Sequence, residues 1–278
     1  MSIPTTKSFR GTEVPTLGIG TWEVNGDDAI EAVADALAAG YRHVDTAVGY
    51  QNHLQVAEGL RKSGLARGDY WLTTKIHFED YDPPVLRKEA EDSLKELGVD
   101  YLDLLLLHWP YGGDENVIGA LHELQKLRSE GHIREFGVSN VPVNMLTRLL
   151  EAAPEIFADQ VEFHALLEQD KLLALARERD VMVTAYSPLA NGKGLIAQEV
   201  VQDIASQRGA TPAQVAIAWL ARMDGVTVLP RSTNPDRRRE NLGALEVELT
   251  DEDATRLDEL AQSRKRFIDP PFAPDWDD

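Results

Sequence analysis

YLDLLLLHWP, residues 101–110, is the stretch on which the fold turns. It is strand-length, carries four consecutive leucines at 104–107, and ends in a histidine, a tryptophan and a proline. A near-continuous apolar run of this kind suits a parallel strand covered on both faces. Seven similar runs lie on either side: LGIGTW (17–22), YRHVDTA (41–47), YWLTTKI (70–76), IREFGVS (133–139), DQVEF (159–163), VMVTAYS (181–187) and VTVLPRS (226–232).

Between the runs lie segments with helical period. DDAIEAVADALAAG (27–40) has apolar residues at 30, 33, 34, 37 and 38 and stops at Gly40. PPVLRKEAEDSLKELG (83–98) opens on proline and closes on Gly98. Segments 116–131, 142–153, 170–180 and 211–225 follow the same grammar. Strands alternating with helices in this way fit an α/β fold, a (β/α)8 TIM barrel. The turn-like Arg10-Gly11-Thr12 within residues 6–16 predicts an N-terminal β-hairpin closing the barrel bottom. Two extra helices are expected, at 198–207 and 251–262, before a proline-rich tail. A doubly wound sheet is the rival, but Gly18-Ile19-Gly20 lacks the third glycine of a dinucleotide fingerprint. No linker or repeat divides the chain, so residues 1–278 read as one domain.

Composition excludes several classes. There are no cysteines, which removes disulfides, thiolate nucleophiles and zinc–thiolate sites. The net charge is −19, from 47 acidic residues against nine Lys and nineteen Arg. Such a field repels nucleic acid and anionic membranes. We read it as adaptation to a halophilic, high-salt cytoplasm, where screening tolerates the repulsion. The bland alternative is a merely soluble acidic surface. No apolar run of about eighteen residues and no secretory signal is visible, so a cytoplasmic location is expected.

In a barrel, chemistry belongs at the C-terminal ends of strands. Asp45 and Tyr50 follow the second strand, Lys75 ends the third, and His108 ends the fourth. A buried lysine beside a phenol stabilises the phenolate and is expected to lower the tyrosine pKa. Aspartate compensates the buried lysine. A neutral histidine donates a hydrogen bond to a carbonyl and orients it. Alone, each residue has a duller explanation: a turn cap, a packing tyrosine, a snorkelling lysine, a core histidine. Together they form a site that polarises and protonates a carbonyl oxygen, and a hydride cofactor is the natural partner. At the eighth strand, Arg231, Ser232 and Arg237 form a hydroxyl-bearing basic cluster at a helix N-terminus, which suits a phosphate. Arg238 and Arg239 fit a solvated helix face.

These motifs, GIGTW, VDTAVGYQN, TTK, LLLLHWP, GVSN, DQVEFH, AYSPLA and LPRSTNPDRRRENL, occur in order over nearly the whole chain. The sequence resembles the aldo-keto reductase family, in particular its short-tailed prokaryotic members similar to 2,5-diketo-D-gluconate reductases. The resemblance implies Tyr50 as general acid, Lys75 and Asp45 as its tuning pair, and His108 as the carbonyl-orienting residue. It implies NADP(H), with NAD(H) as a weaker alternative, and a small-molecule carbonyl substrate. Ser139, Asn140 and Gln160 would hold the nicotinamide carboxamide, and Tyr186 would stack on its ring. Ser187 and Leu189 would follow the pyrophosphate, and Thr21, Trp22 and Asp45 would also contact the cofactor. Arg231, Ser232 and Arg237 would take the 2′-phosphate, with Glu240 and Asn241 on the adenine edge. Trp22, Tyr50, His77, His108 and Trp109 would line the substrate pocket. No metal is implied, and a monomer is the family default.

Three departures stand out. Arg231 replaces the family's usual lysine, which preserves phosphate binding. His53 replaces an acidic residue and is placed near the rim without a role. The segment DENVIG after the fourth strand reads as a short loop, implying an open site and broad substrate range. A cofactor-sensing regulatory protein on the same fold is the main functional rival. A metal-dependent barrel hydrolase is weaker, because neither H-x-H nor H-E-x-x-H occurs.

Overall fold

A computed structural model describes residues 3–79 and 81–277. It begins with the hairpin β1 (Thr6–Phe9) and β2 (Thr12–Pro15), whose two turn residues Arg10 and Gly11 both have positive φ, 49° and 80°. That twist matches antiparallel strands and explains the glycine.

Eight parallel strands follow: β3 (Ile19–Gly20), β4 (His43–Asp45), β5 (Trp71–Ile76), β6 (Leu102–Leu107), β7 (Ile133–Ser139), β8 (Ala158–Glu162), β9 (Met182–Tyr186) and β10 (Val226–Leu229). They are hydrogen-bonded in chain order. Gly18 N and Val228 N then close the ring across β3 and β10 through Val228 O and Thr16 O. The sequence runs bracket each strand except β8, which begins one residue before its run, and β3 is only two residues long.

The helices on the outside are α1 (Gly26–Ala39), α2 (His53–Ser63), α3 (Pro83–Leu97), α4 (Asp114–Ser129), α5 (Val143–Ala152), α6 (Asp170–Arg179), α7 (Glu199–Arg208), α8 (Pro212–Ala221), α9 (Pro235–Leu242) and α10 (Asp251–Ala261). α7 and α10 are the two extra helices. α2 has no counterpart in the periodic segments read from sequence. DENVIG is not a loop but the first turns of α4; the loop before it spans only 108–113. Two glycines, Gly112 and Gly113, with φ of 76° and 82°, make that short turn possible.

The leucine run divides by parity. Leu104 and Leu106 join Phe9, Val14, Trp71 and Met182 in a cluster that fills the barrel's lower interior, against the hairpin that closes its bottom. Leu105 and Leu107 belong instead to the core shared with the helices. The inward series 104, 106, 108 therefore delivers His108 to the top of the barrel.

The hairpin is fastened underneath. Lys7 Nζ donates to the carbonyls of Ala221, Met223 and Val226 at 2.6–2.7 Å, capping the end of α8. Arg10 reaches the carbonyls of Pro154, Arg179 and Asp180. Lys7→Met removes the donor from three carbonyls and is expected to cost about 1–3 kcal/mol of stability in urea unfolding. An unchanged midpoint would show that water replaces the ammonium there.

Candidate active site

Sequence parity lifts Lys75 out of the plug. Trp71 lies in the lower interior, Thr73 bonds His43 and Trp71 above it, and Lys75 follows on the same face of β5. Lys75 is fully enclosed, and its Nζ donates to Asp45 Oδ1 at 2.5 Å and to Thr46 O at 2.8 Å. Gln160, across the barrel on β8, donates Nε2 to the other Asp45 oxygen at 2.8 Å. The charge pair is thus hydrogen-bonded on both sides, as a buried pair requires. Burial disfavours the ammonium, but Asp45 and Tyr50 favour it more, and the net shift of Lys75 is upward.

Tyr50 stands on a single helical turn, Val48–Tyr50, after β4. Its ring centroid lies 5.1 Å from Lys75 Nζ, and the His108 ring meets it edge-on at 5.7 Å. Tyr50 departs from the sequence expectation in one respect. Burial raises its pKa more than Lys75 lowers it, with Asp45 adding to the rise, so the net direction is upward. The phenol is therefore held protonated, and Lys75 acts by limiting the cost of losing the proton. His108 is pushed well below its ordinary value, first by burial, then by Lys75 and His77. It is a neutral imidazole.

A pocket of about 850 Å³ opens above this group. It is lined by Asp45, Tyr50, His108, Trp22, His77 and Trp109, and further along by Ser139, Asn140, Gln160, Tyr186, Ser187 and Leu189. Thr21 lines it too, with its hydroxyl on Asp45 O. The far end reaches Arg231 and Arg237, while Ser232, Glu240 and Asn241 are not part of the lining. Glu240 instead accepts from Thr211 Oγ1 at 2.6 Å, and Asn241 is buried. Ser232 closes a turn with Asn234, whose Oδ1 caps α9 by accepting from Asp236 N and Arg237 N. Arg231 lies 5.7 Å from the Trp22 ring and 3.8 Å from Glu23.

Two positional expectations are corrected. His53 is not at the rim: it is 3% exposed, with Nε2 on Thr74 Oγ1 at 2.8 Å and Nδ1 on Glu96 at 3.2 Å. Burial lowers its pKa more than Glu96 raises it. It ties α2 and α3 behind β5. Arg238 is not a solvated residue: it is buried, with Nε on Asp35 of α1 at 2.9 Å. Arg239, also on Asp35, is exposed.

The site is also less open than expected. Phe267, Ile268, Asp269, Pro270 and Phe272 of the C-terminal tail line it. Phe272 stacks on Phe78 at 4.3 Å and meets Trp109 edge-on at 5.4 Å.

Sequence reasoning gave no role to Asn52. This buried side chain accepts from Thr46 Oγ1 and donates to the carbonyls of Thr21 and Val24. It staples the loop carrying Tyr50 to the loop carrying Trp22. Its only sequence signal is a polar residue closing the VDTAVGYQN motif.

Fold and pocket together define a barrel enzyme with its functional groups at the carboxyl ends of the strands. Residues 16–262 match the model of the Aldo/keto reductase family. The chain belongs to that family and is an oxidoreductase. It is 38% identical to an aldo-keto reductase of Mycolicibacterium smegmatis over 263 residues, 94% of each chain. It is 34% identical to the methylglyoxal reductase DkgA of Escherichia coli K12, over 97% of this chain and 98% of that one. The crystal structure of a putative 2,5-diketo-D-gluconic acid reductase B superposes with a TM-score of 0.94 at 35% identity, covering 100% and 98% of the two chains. Among the described residues no group of side chains could hold a metal, and no helix is long and apolar enough to cross a membrane.

Proposed function

We propose that the protein reduces small aldehydes and ketones with NADPH, with Tyr50 as the proton donor. The observation that carries this reading is the buried Lys75–Asp45 pair beside the Tyr50 phenol and a neutral His108, at the floor of one pocket. Relatives whose names specify methylglyoxal and diketogluconate support a carbonyl substrate.

The pocket fits a nicotinamide dinucleotide on its own chemistry. Gln160 has its amide nitrogen committed to Asp45, which leaves its oxygen for a carboxamide donor. Ser139 and Asn140 stand beside it, and the Tyr186 hydroxyl holds Asn140 Oδ1 at 2.7 Å, fixing the aromatic ring that would face the nicotinamide. Ser187 and Leu189 extend toward the pyrophosphate end. Arg231 and Arg237 supply positive charge where a 2′-phosphate would lie, with Ser232 on the same turn. Glu240, half-buried and accepting from Thr211, and Asn241, buried beside it, stand at the end of α9 where the adenine edge would lie.

When bound, the reduced nicotinamide supplies hydride to the carbonyl carbon. The protein's own groups do the rest. His108 donates a hydrogen bond that orients the carbonyl, and Tyr50 gives its proton to the oxygen as negative charge develops. Lys75 stabilises the phenolate left behind, and Asp45 with Thr46 O and Gln160 keeps Lys75 in place. The −19 charge suits a high-salt solvent, where screening limits repulsion of the anionic cofactor.

Tyr50→Phe keeps the ring packing and removes the proton. Carbonyl reduction should fall about 10³-fold while NADPH binding, followed by fluorescence, persists. Retention of most of the activity would remove Tyr50 from the role. The protonation states also fix a pH profile. An acid must be protonated, so its activity is lost only as pH rises through a value above 10. Neutral His108 loses its function only as pH falls well below 6.5. The kcat/KM for reduction should therefore be flat between about pH 7 and pH 9, and a midpoint inside that window would contradict these assignments. For the cofactor, Arg237→Ala should weaken NADPH about 10- to 100-fold and NADH by less than about threefold, measured as Kd. Equal weakening of both would refute 2′-phosphate recognition.

A further inference from the structure

Glu162 lies at the end of β8, two residues beyond Gln160, and is fully buried. No step of the proposed reaction uses it. Its carboxylate nevertheless accepts three donors. His164 Nε2 lies 3.0 Å from Oε1. The backbone N–H of Phe267 reaches both oxygens, at 2.9 and 3.1 Å, and that of Ile268 reaches Oε2 at 2.9 Å. The His164 ring is set by its own neighbour, since its Nδ1 accepts from Leu166 N. Nε2 is then the protonated nitrogen, which makes it a donor to Glu162. Its ring also lies against Phe267, at 5.5 Å between centroids.

Phe267 and Ile268 are where the C-terminal tail crosses the barrel mouth. The tail is held again at its far end. Asp277 accepts from Val143 N and Asn144 N, at 2.9 and 2.7 Å, capping α5. Between these two carboxylates the tail carries Phe272 onto Phe78 and Trp109. One anchor is a surface helix cap. The other is buried, satisfied by backbone N–H groups, and directly beneath the pocket wall.

We propose that Glu162 is a positioning residue: a latch whose carboxylate grips two successive tail amides and so holds the wall that receives the substrate. It acts on substrate fit through Phe272, and does not act on proton or hydride transfer. The kinetic part rests on the reductase reading; the latch itself does not. Two successive N–H groups on one carboxylate are charge-assisted hydrogen bonds, stronger than neutral ones. Replacing the acid by its amide leaves one neutral acceptor oxygen where the carboxylate offered two charged ones and puts an N–H₂ donor in place of the other, so the grip on the two tail N–H groups is weakened.

The test uses the whole chain with NADPH and 4-nitrobenzaldehyde as the probe carbonyl, comparing wild type with Glu162→Gln, Ile268→Pro and Phe272→Ala. Hydrogen–deuterium exchange read by mass spectrometry on the peptide containing Phe267 and Ile268 should quicken about tenfold or more in Glu162→Gln. In the same variant KM should rise about tenfold, with kcat and the NADPH Kd within about twofold. A merely structural loss would instead lower kcat and stability together. Ile268→Pro deletes one of the gripped donors while leaving Glu162 intact, and should reproduce the KM shift even if Glu162→Gln does not fold. Phe272→Ala should raise KM with the two amides still protected. Unchanged exchange in Glu162→Gln, or a kcat loss at constant KM in the folded variants, would overturn the latch. Absence of turnover in wild type would sink the reductase reading alone, and the exchange rates would still decide the latch.

Discussion

An ammonium enclosed in the centre of a barrel is the constraint on which this structure depends. Removing such a charge from water costs several kcal/mol unless its partners are well placed. Lys75 meets that requirement with Asp45 and the Thr46 carbonyl, and Asp45 in turn is held by Gln160 from the opposite side of the barrel. The backbone beyond β4 must therefore turn so that Thr46 O points inward, and the loop that follows must be pinned. Asn52 supplies that pin through Thr46, Thr21 and Val24. Tyr50 and Trp22 inherit their positions from this staple.

The same charge organises its neighbours' protonation. Burial together with Lys75 keeps His108 neutral. His43, lower in the barrel and on Thr73, is driven to about 3 by burial with Lys75 adding to it. Lys75 pulls Tyr50 down against a burial effect that outweighs it. One positive charge in a medium of low dielectric thus acts on three titratable side chains at once. Burial, against the pull of that charge, leaves the Tyr50 phenol protonated in the resting protein.

Much of this was legible in the sequence, and the reasons are particular. Parallel strands covered on both faces produce runs such as LDLLLL, and residues at their carboxyl ends are confined to one face of the barrel. Asp45, Tyr50, Lys75 and His108 could be grouped on that rule alone. The arginines after β10 stood out against an acidic chain. What escaped was whatever depends on partners far away in sequence. Sequence alone places His53 near the site's rim and Arg238 on a solvated helix face, yet each is buried and bonded to a carboxylate 43 or 203 positions distant. Glu162 and the tail it holds are 105 residues apart, with no periodicity connecting them. The direction of the Tyr50 shift depends on how deeply the site is enclosed, which no motif records.

The claim that Lys75 governs the Tyr50 phenol can be measured without turnover. Ultraviolet difference titration near 295 nm on the NADP+-bound protein, with Tyr50→Phe as the subtracted reference, isolates the ionisation of this one tyrosine. If the buried ammonium stabilises the phenolate, Lys75→Met must move that ionisation to higher pH by more than about one unit. An unchanged midpoint in Lys75→Met, with the fold intact, would show that the Lys75 charge is not what sets the acidity of Tyr50.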